Sequence, residues 1–244
     1  IHHLHVQPTE NTLSFYVTFM ARYINPRSIT AYLSGICHQL EPYYPNVRAL
    51  RLSSVVTRTL RGAHRRHGAP FKRKVPITIQ HLMDIAKALP HPRTHNNALF
   101  LTILYSGFFG LMRLGELTAA NEHELRNPRK VIARSSVKST ESWYEFALPT
   151  HKSDPFFEGN RILIRANTTE PNPYPIFFDY INSRDHLFPF HSPLFLTSNG
   201  TVPKRDWFLS RLRRFLPPEF AGQSLRSGGA TWLASVGTPP NLIQ

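Results

Sequence analysis

Two arginines lie inside segments that are otherwise mostly apolar. Arg113 falls within residues 108–117 (FFGLMRLGEL), and Arg226 falls within residues 223–231 (QSLRSGGAT). A guanidinium held among apolar neighbours needs a partner, because a buried and unpaired charge is unfavourable. That partner is either an internal carboxylate, for which Glu116 is the candidate beside Arg113, or a bound anion. Planar geometry and a permanent charge suit a pair of arginines to holding one phosphate between them.

Several other kinds of site are excluded by the motifs that the sequence lacks. It contains no Walker-type phosphate loop, no GxGxxG behind a strand, no HExxH pair and no nucleophile elbow around Ser227. The single cysteine, Cys37, excludes an internal disulfide and a Cys-rich zinc site, and it fits a reducing, intracellular compartment. His2, His3 and His5 could form a weak metal site, although a frayed terminus is the better interpretation. We therefore expect neither a metal ion nor a cofactor.

Capping residues and hydrophobic spacing predict a mainly helical chain. Helices are expected to begin after Thr9, after Asn25 and after Ser53 or Ser54, and another after Thr78. Residues 96–109 are nearly all apolar and predict a buried helix. Three strand candidates follow, at residues 131–137, 143–148 and 161–165. After them, three more helices are predicted, at residues 174–182, 206–215 and 227–235.

Charge and turn-forming residues divide this chain into two parts. The 29 Lys and Arg outnumber the 15 Asp and Glu for a net charge of +14, and residues 48–74 contain no acid. Residues 68–76 are rich in Gly, Pro and basic residues, which predicts a linker between a helical domain at 1–67 and an α+β domain at 77–244. Such a charge excess attracts polyanions such as nucleic acid, although it could also serve only to keep the protein in solution. We expect no membrane partner, because no apolar run is long enough to span a bilayer.

Three segments, taken in order along the chain, resemble motifs of the tyrosine recombinases and integrases. Residues 110–117 resemble the first-arginine motif with its Arg-x-x-Glu core, and residues 224–231 resemble the second-arginine motif. Residues 148–154, between the second and third strand candidates, are similar to the hairpin that carries the catalytic lysine of the family. The helical domain ahead of a basic linker also agrees with the organisation of this family. The sequence of the motifs resembles the eukaryotic, transposon-related branch of the family. The resemblance covers nearly the whole chain.

The resemblance implies a role for each residue of these motifs. Arg113 and Arg226 would clamp the scissile phosphate and stabilise the charge that develops on its oxygens, while Glu116 would brace Arg113. Lys152 would act as general acid and protonate the departing 5′-oxygen. Lys138 is the alternative for that role, and Lys152 would then be an exposed hairpin lysine without a function.

Double-stranded DNA is the partner that the resemblance implies, with the two domains on opposite faces of the duplex. Family members often assemble as tetramers on two duplexes, whereas we expect this chain by itself to be a monomer. The resemblance to the eukaryotic branch and the basic charge lead us to expect a nuclear location. The further side chains expected on DNA phosphates are Arg58, Arg61, Arg65, Arg66, Lys72, Arg73 and Lys74.

The chain departs from the family pattern at two places. Gln223 stands where the family usually has histidine, and an amide can donate a hydrogen bond but cannot take a proton. No tyrosine follows Arg226, the last one being Tyr180, so we expect a recombinase catalytic domain without its carboxy-terminal end.

These observations leave three hypotheses open. The first is a recombinase core that binds DNA, and that in the intact protein breaks and rejoins strands through a phosphotyrosine. The second is a non-catalytic DNA-binding protein derived from a recombinase. The third is a basic structural protein without a phosphate site.

Overall fold

The computed structural model describes residues 7–70, 73–150 and 158–243, and the chain divides into two compact units between Lys72 and Arg73. This boundary falls inside the segment that the sequence assigns to a linker. Within the described ranges, no helix combines the length and the apolar character needed to cross a membrane.

The first unit is a small helical domain. The side chains of Thr9, Asn25 and Ser53 accept hydrogen bonds from backbone amides at the starts of three helices, as predicted. Leu13 and Val17 belong to the buried core that these helices share. A short helix was not predicted, and it lies between the second and third predicted ones. The helices are α1 (Glu10–Met20), α2 (Pro26–Leu40), α3 (Val47–Leu52) and α4 (Ser54–His67).

The second unit is an α+β domain built around one buried helix. Its elements are α5 (Ile79–Ala88), α6 (His95–Phe109), α7 (Leu114–Leu117), β1 (Lys138–Ser139), β2 (Trp143–Leu148), β3 (Asn160–Arg165), α8 (Pro173–Leu187), α9 (Arg205–Leu212) and α10 (Gln223–Ser235). Every residue of α6 from 98 to 108 is buried, and α8 and α10 pack against it. The predicted fold class, mainly helical with a small antiparallel sheet, is confirmed.

The sheet packs one apolar face onto the helices. Its strands run antiparallel in the order β1-β2-β3, with Trp143 opposite Arg165 in the β2–β3 pair. Tyr144 of β2 stacks on Phe177 of α8 with ring centroids 3.8 Å apart, and its hydroxyl lies 3.2 Å from the hydroxyl of Ser106 in α6. The alternation of buried and half-buried side chains along β2 therefore fixes which face of the sheet meets α6 and α8.

The first predicted strand, at residues 131–137, is wrong. The backbone there forms one short 3-10 helix, over Arg134–Ser136, and β1 begins only at Lys138. The reason is a different pairing partner: the amide of Arg134 donates to the carbonyl of Ser192, and the amide of Leu194 donates to the carbonyl of Ile132. The apolar pattern of this segment therefore serves burial against the 192–194 loop.

The last helix begins four residues earlier than predicted, at Gln223 and not at Ser227. Its first turn is held by tertiary contacts that the sequence pattern does not display. The amide of Ala221 donates to the hydroxyl of Ser224, and the carbonyl of Ser224 accepts from the amide of Ile77. As a result, Arg226 lies within the helix and not in the loop before it.

Two consecutive glycines let α10 approach its neighbours closely. A Cβ added to Gly228 would lie 2.1 Å from the carbonyl oxygen of Ile77, and one added to Gly229 would lie 2.0 Å from the carbonyl oxygen of Phe108. Backbone atoms at these distances cannot swing aside as a flexible side chain would. Both positions therefore require glycine for lack of space.

We predict that Gly229→Ala lowers the free energy of unfolding by about 2–3 kcal/mol, because the added methyl forces α10 away from α6. Chemical denaturation with circular dichroism measures this loss. Gly115→Ala is the matched control, since a Cβ there meets no atom within 4 Å. Equal stability of the two variants would contradict the close packing of α10.

Candidate functional site

A tight turn at the end of α6 positions Arg113. The amides of Leu111 and Met112 donate to carbonyls in the last turn of α6, at 3.3 and 3.0 Å, which is the hydrogen-bond pattern of a Schellman motif. Leu111 occupies the left-handed region that such a motif requires, with φ 49°, where glycine is the usual residue. Its side chain packs against Gly229 of α10, so this turn is attached to the last helix.

Arg113 and Glu116 form an ion pair at the start of α7. The carboxylate of Glu116 accepts from the backbone amide of Arg113 at 2.8 Å and from its guanidinium at 3.2 Å. The Glu116 side chain is only 11% exposed, whereas that of Arg113 is 43% exposed. The internal ion pair considered from the sequence is thus present, yet much of the guanidinium still faces solvent and remains available to a second anion.

The start of α10 lies directly beside α7. A Cβ added to Gly222 would lie 2.7 Å from Cβ of Leu114, the first residue of α7. Gln223 and Arg226 follow one helical turn apart on α10, so that their side chains share one face of the helix. Two elements that carry Arg113 and Arg226 therefore meet, although 113 positions of sequence separate the two arginines.

Arg226 differs from Arg113 in having no counter-ion among the residues that the structure describes. Gln223 is exposed and Arg226 is half-buried. Across the described ranges, neither side chain makes a hydrogen bond, and no carboxylate lies within ion-pair distance of Arg226. A half-buried guanidinium without a partner is a candidate anion-binding group.

The sheet borders the same turn. Ile162 of β3 lies 2.9 Å from the position that a Cβ on Gly110 would occupy, three residues before Arg113. Lys152, predicted in the hairpin between β2 and β3, lies outside the described residues. Lys138, the alternative general acid, is exposed on β1 opposite Glu145.

The predicted DNA-binding cations fall into three groups. Arg73 and Lys74 belong to the second unit, where the Lys74 amine donates to the carbonyl of Pro218 at 3.0 Å. Lys72 lies outside the described residues. The remaining four are all exposed on α4 of the first unit: Arg58, Arg61, Arg65 and Arg66.

The most buried arginine of the chain was not singled out from the sequence. Arg184, 1% exposed, donates to Asp185 and to the carbonyls of Phe188, His191 and Pro193. It holds the loop after α8 and has a structural role. Its place on the buried face of α8, one turn after Tyr180, is the signal that could have revealed it.

A metal centre finds no support in the part of the chain that the structure describes. No group of three or more His, Cys, Asp or Glu side chains there could hold an ion. The segments that meet at α7 and α10 carry two guanidinium groups and one amide, which can donate hydrogen bonds to an anion, together with the carboxylate of Glu116.

Comparisons with known proteins identify the fold. No protein-family model and no curated protein matches the chain. Among solved structures, the Tn1549 transposon integrase in complex with circular intermediate DNA superposes with a TM-score of 0.58 at 17% identity, over 99% of this chain and 77% of the integrase chain. The XerH site-specific recombinase bound to its difH substrate gives a TM-score of 0.52 at 12% identity, over 91% of this chain.

The chain therefore has the fold of the tyrosine recombinases and integrases. It spans 63% of the length of the XerH chain, which is less than two thirds. At these identities the likeness extends to the fold, while the role of each residue has to be argued from the chain itself.

We predict that Glu116→Ala lowers the free energy of unfolding by about 1–3 kcal/mol, because it removes the acceptor of two hydrogen bonds from Arg113. Glu116→Gln keeps an acceptor oxygen and should lose less. Thermal unfolding followed by calorimetry measures both variants. Glu122→Ala, at an exposed glutamate without an ion pair, is the control and should match the wild type; a loss of equal size there would refute the bracing role of Glu116.

Proposed function

We propose that this chain binds duplex DNA and holds one backbone phosphodiester between Arg113 and Arg226. The observation that carries the proposal is the contact between α7 and the first turn of α10, which brings the segments of both arginines together. The half-buried and uncompensated guanidinium of Arg226 supports it, since a bound phosphate would supply the missing counter-ion. The DNA-bound recombinase and integrase structures that share the fold support it as well.

In this proposal each residue near the phosphate has a separate task. The guanidinium groups of Arg113 and Arg226 donate to the non-bridging oxygens and stabilise negative charge that develops there during strand exchange. Glu116 holds Arg113 in place through the two hydrogen bonds described above. Gln223 adds an amide donor but cannot accept a proton. Lys152 would protonate the 5′-oxygen that departs when a strand is cut.

We further propose that strand breakage and rejoining require a tyrosine nucleophile that none of the nine tyrosines here supplies. All of them precede Arg226 in the sequence. Tyr180, the last of them, is fully buried; its hydroxyl donates to the carbonyl of Leu194 at 2.9 Å and accepts from the amide of Leu196 at 2.8 Å. Burial raises the pKa of this phenol well above its ordinary value, so its reactive phenolate form is disfavoured.

The second candidate function is DNA binding without strand transfer, and Gln223 favours it. A residue that cannot take a proton leaves the attacking hydroxyl without a base at this position. The two candidates are distinguished by joining the chain to a segment that supplies a tyrosine and asking whether a covalent protein–DNA adduct forms. An adduct that depends on Arg226 would support the recombinase, and a bound complex without any adduct would support the non-catalytic protein.

We predict that Arg113→Ala and Arg226→Ala each raise the Kd for duplex DNA at least about tenfold, which corresponds to the loss of a charge-assisted hydrogen bond pair. Arg129→Ala, at an exposed arginine of the same unit without an ion pair, removes the same charge and should raise Kd less than about threefold. Arg113→Lys keeps the positive charge but loses the bidentate geometry of the guanidinium, so its increase in Kd should lie between these two values. Fluorescence anisotropy titration measures the Kd of all four variants. If Arg129→Ala raises Kd as much as Arg113→Ala and Arg226→Ala do, a shared phosphate site is excluded.

We also predict a steep salt dependence of binding. If Arg113, Arg226 and the four α4 arginines each neutralise one phosphate, the logarithm of the binding constant should fall against the logarithm of salt concentration with a slope of about −5. Gel-shift titrations at several salt concentrations between about 50 and 200 mM give this slope. A binding constant that does not change with salt would contradict electrostatic contact with the DNA backbone.

A further inference from the structure

The exposed face of α4 carries positive charge that nothing on the first unit compensates. Arg58, Arg61, Arg65 and Arg66 are all exposed, and in the described ranges none of them forms an ion pair or a side-chain hydrogen bond. Arg65 and Arg66 lie in the last turn, where cations also stabilise the helix dipole. Arg58 and Arg61 precede that turn, so the dipole does not account for them.

Gly62 lies in the middle of this basic face. With 3.6 residues per turn, Arg58 and Arg66 are one turn before and one turn after it, and Arg65 lies beside it. The buried residues of α4, Val56 and Ala63, lie about 100–120° around the helix from Gly62, which is itself exposed. Three of the four residues one helical turn from Gly62 are therefore arginines, and the fourth is Thr59.

Packing inside the protein does not require a glycine at this position. A Cβ added to Gly62 would meet no atom within 4 Å, in contrast to Gly228 and Gly229 of α10. The φ of Gly62 is not in the left-handed region, and a glycine within a helix destabilises it relative to alanine. A position that is unfavourable for the fold, open to solvent and surrounded by cations is consistent with a requirement imposed by a ligand.

We propose that Gly62 is the point at which a sugar–phosphate strand of duplex DNA comes closest to the backbone of α4. The absent side chain admits the strand to the helix surface, and Arg58, Arg65 and Arg66 then reach phosphates on either side of the contact. This inference rests on the proposed DNA binding, and it adds a residue that positions α4 on the duplex without contributing charge.

A second glycine provides a matched control. Gly35 lies in the middle of α2, is exposed, and also has no atom within 4 Å of an added Cβ. Its neighbours one turn away are Ala31 and Gln39, and no arginine surrounds it. Replacing either glycine by alanine has the same effect on helix propensity, so only the environment of the two positions differs.

The test compares Gly62→Ala and Gly62→Gln with Gly35→Ala and Gly35→Gln in the whole chain. Both alanine variants should raise the melting temperature of the first unit, by roughly 4 °C or more. Binding to duplex DNA, measured by fluorescence anisotropy, should weaken about threefold or more for Gly62→Ala and about tenfold or more for Gly62→Gln. Both Gly35 variants should bind as the wild type does.

Opposite signs for stability and affinity at Gly62, without a change of affinity at Gly35, would support the close approach. Gly62 variants that bind as tightly as the wild type would overturn it, as would an equal loss at both glycines. In either of those cases, the proposed function would still stand if the wild-type chain binds duplex DNA and if Arg113→Ala and Arg226→Ala weaken that binding. A wild-type chain that does not bind duplex DNA would refute the proposed function together with this inference.

Discussion

The contact between α10 and α6 is the constraint on which the rest of the second unit depends. Two consecutive glycines, Gly228 and Gly229, allow the helix backbone to lie against the carbonyls of Ile77 and Phe108. This depth of packing sets the position of the first turn of α10, which in turn places Gly222 against α7. Because Leu111 also packs on Gly229, the turn before Arg113 and the helix that bears Arg226 share one support. A change in the α6–α10 distance would therefore move both arginines.

The two arginines are supported differently, and the difference has a physical consequence. Arg113 has a mostly buried carboxylate, Glu116, that holds its backbone amide and one nitrogen of its guanidinium, so its position is set before any ligand arrives. Arg226 is half-buried without a counter-ion in the described structure, an arrangement that contributes little to folding. A preorganised donor such as Arg113 is most effective at an anion, because no reorganisation is needed when the anion binds. Arg184 has the opposite character, since it is buried and its two terminal nitrogens donate to Asp185 and to backbone carbonyls of the protein.

Local signals in the sequence were sufficient for the fold class and for most element positions, and tertiary contacts explain the failures. Thr9, Asn25, Ser53 and Thr78 cap helices as predicted, because a side-chain cap acts over two or three residues. Residues 131–137 have a strand-like composition, but their amides and carbonyls pair with the 192–194 loop, some sixty positions away in the sequence. Apolar surroundings in the sequence singled out Arg113 and left its partner open between Glu116 and a bound anion; the structure contains the ion pair with Glu116. The same criterion missed Arg184, because the apolar residues around Arg184 lie one helical turn apart on the buried face of α8 and are not adjacent to it in the sequence.

In the proposed function, the cations of the two units would serve different parts of DNA recognition. Those on α4 are exposed, and such charges attract any polyanion at a distance without discriminating between its phosphates. Arg113 and Arg226, on the segments where α7 and α10 meet, are partly buried, and Glu116 holds Arg113. In the proposed function these two arginines would select one phosphodiester by geometry. A long flexible arginine on an open helix cannot fix a register, since it follows the phosphate wherever that lies. A fixed register on the first unit has to come from a rigid feature of the helix itself, and the shape of the α4 backbone around Gly62 is such a feature.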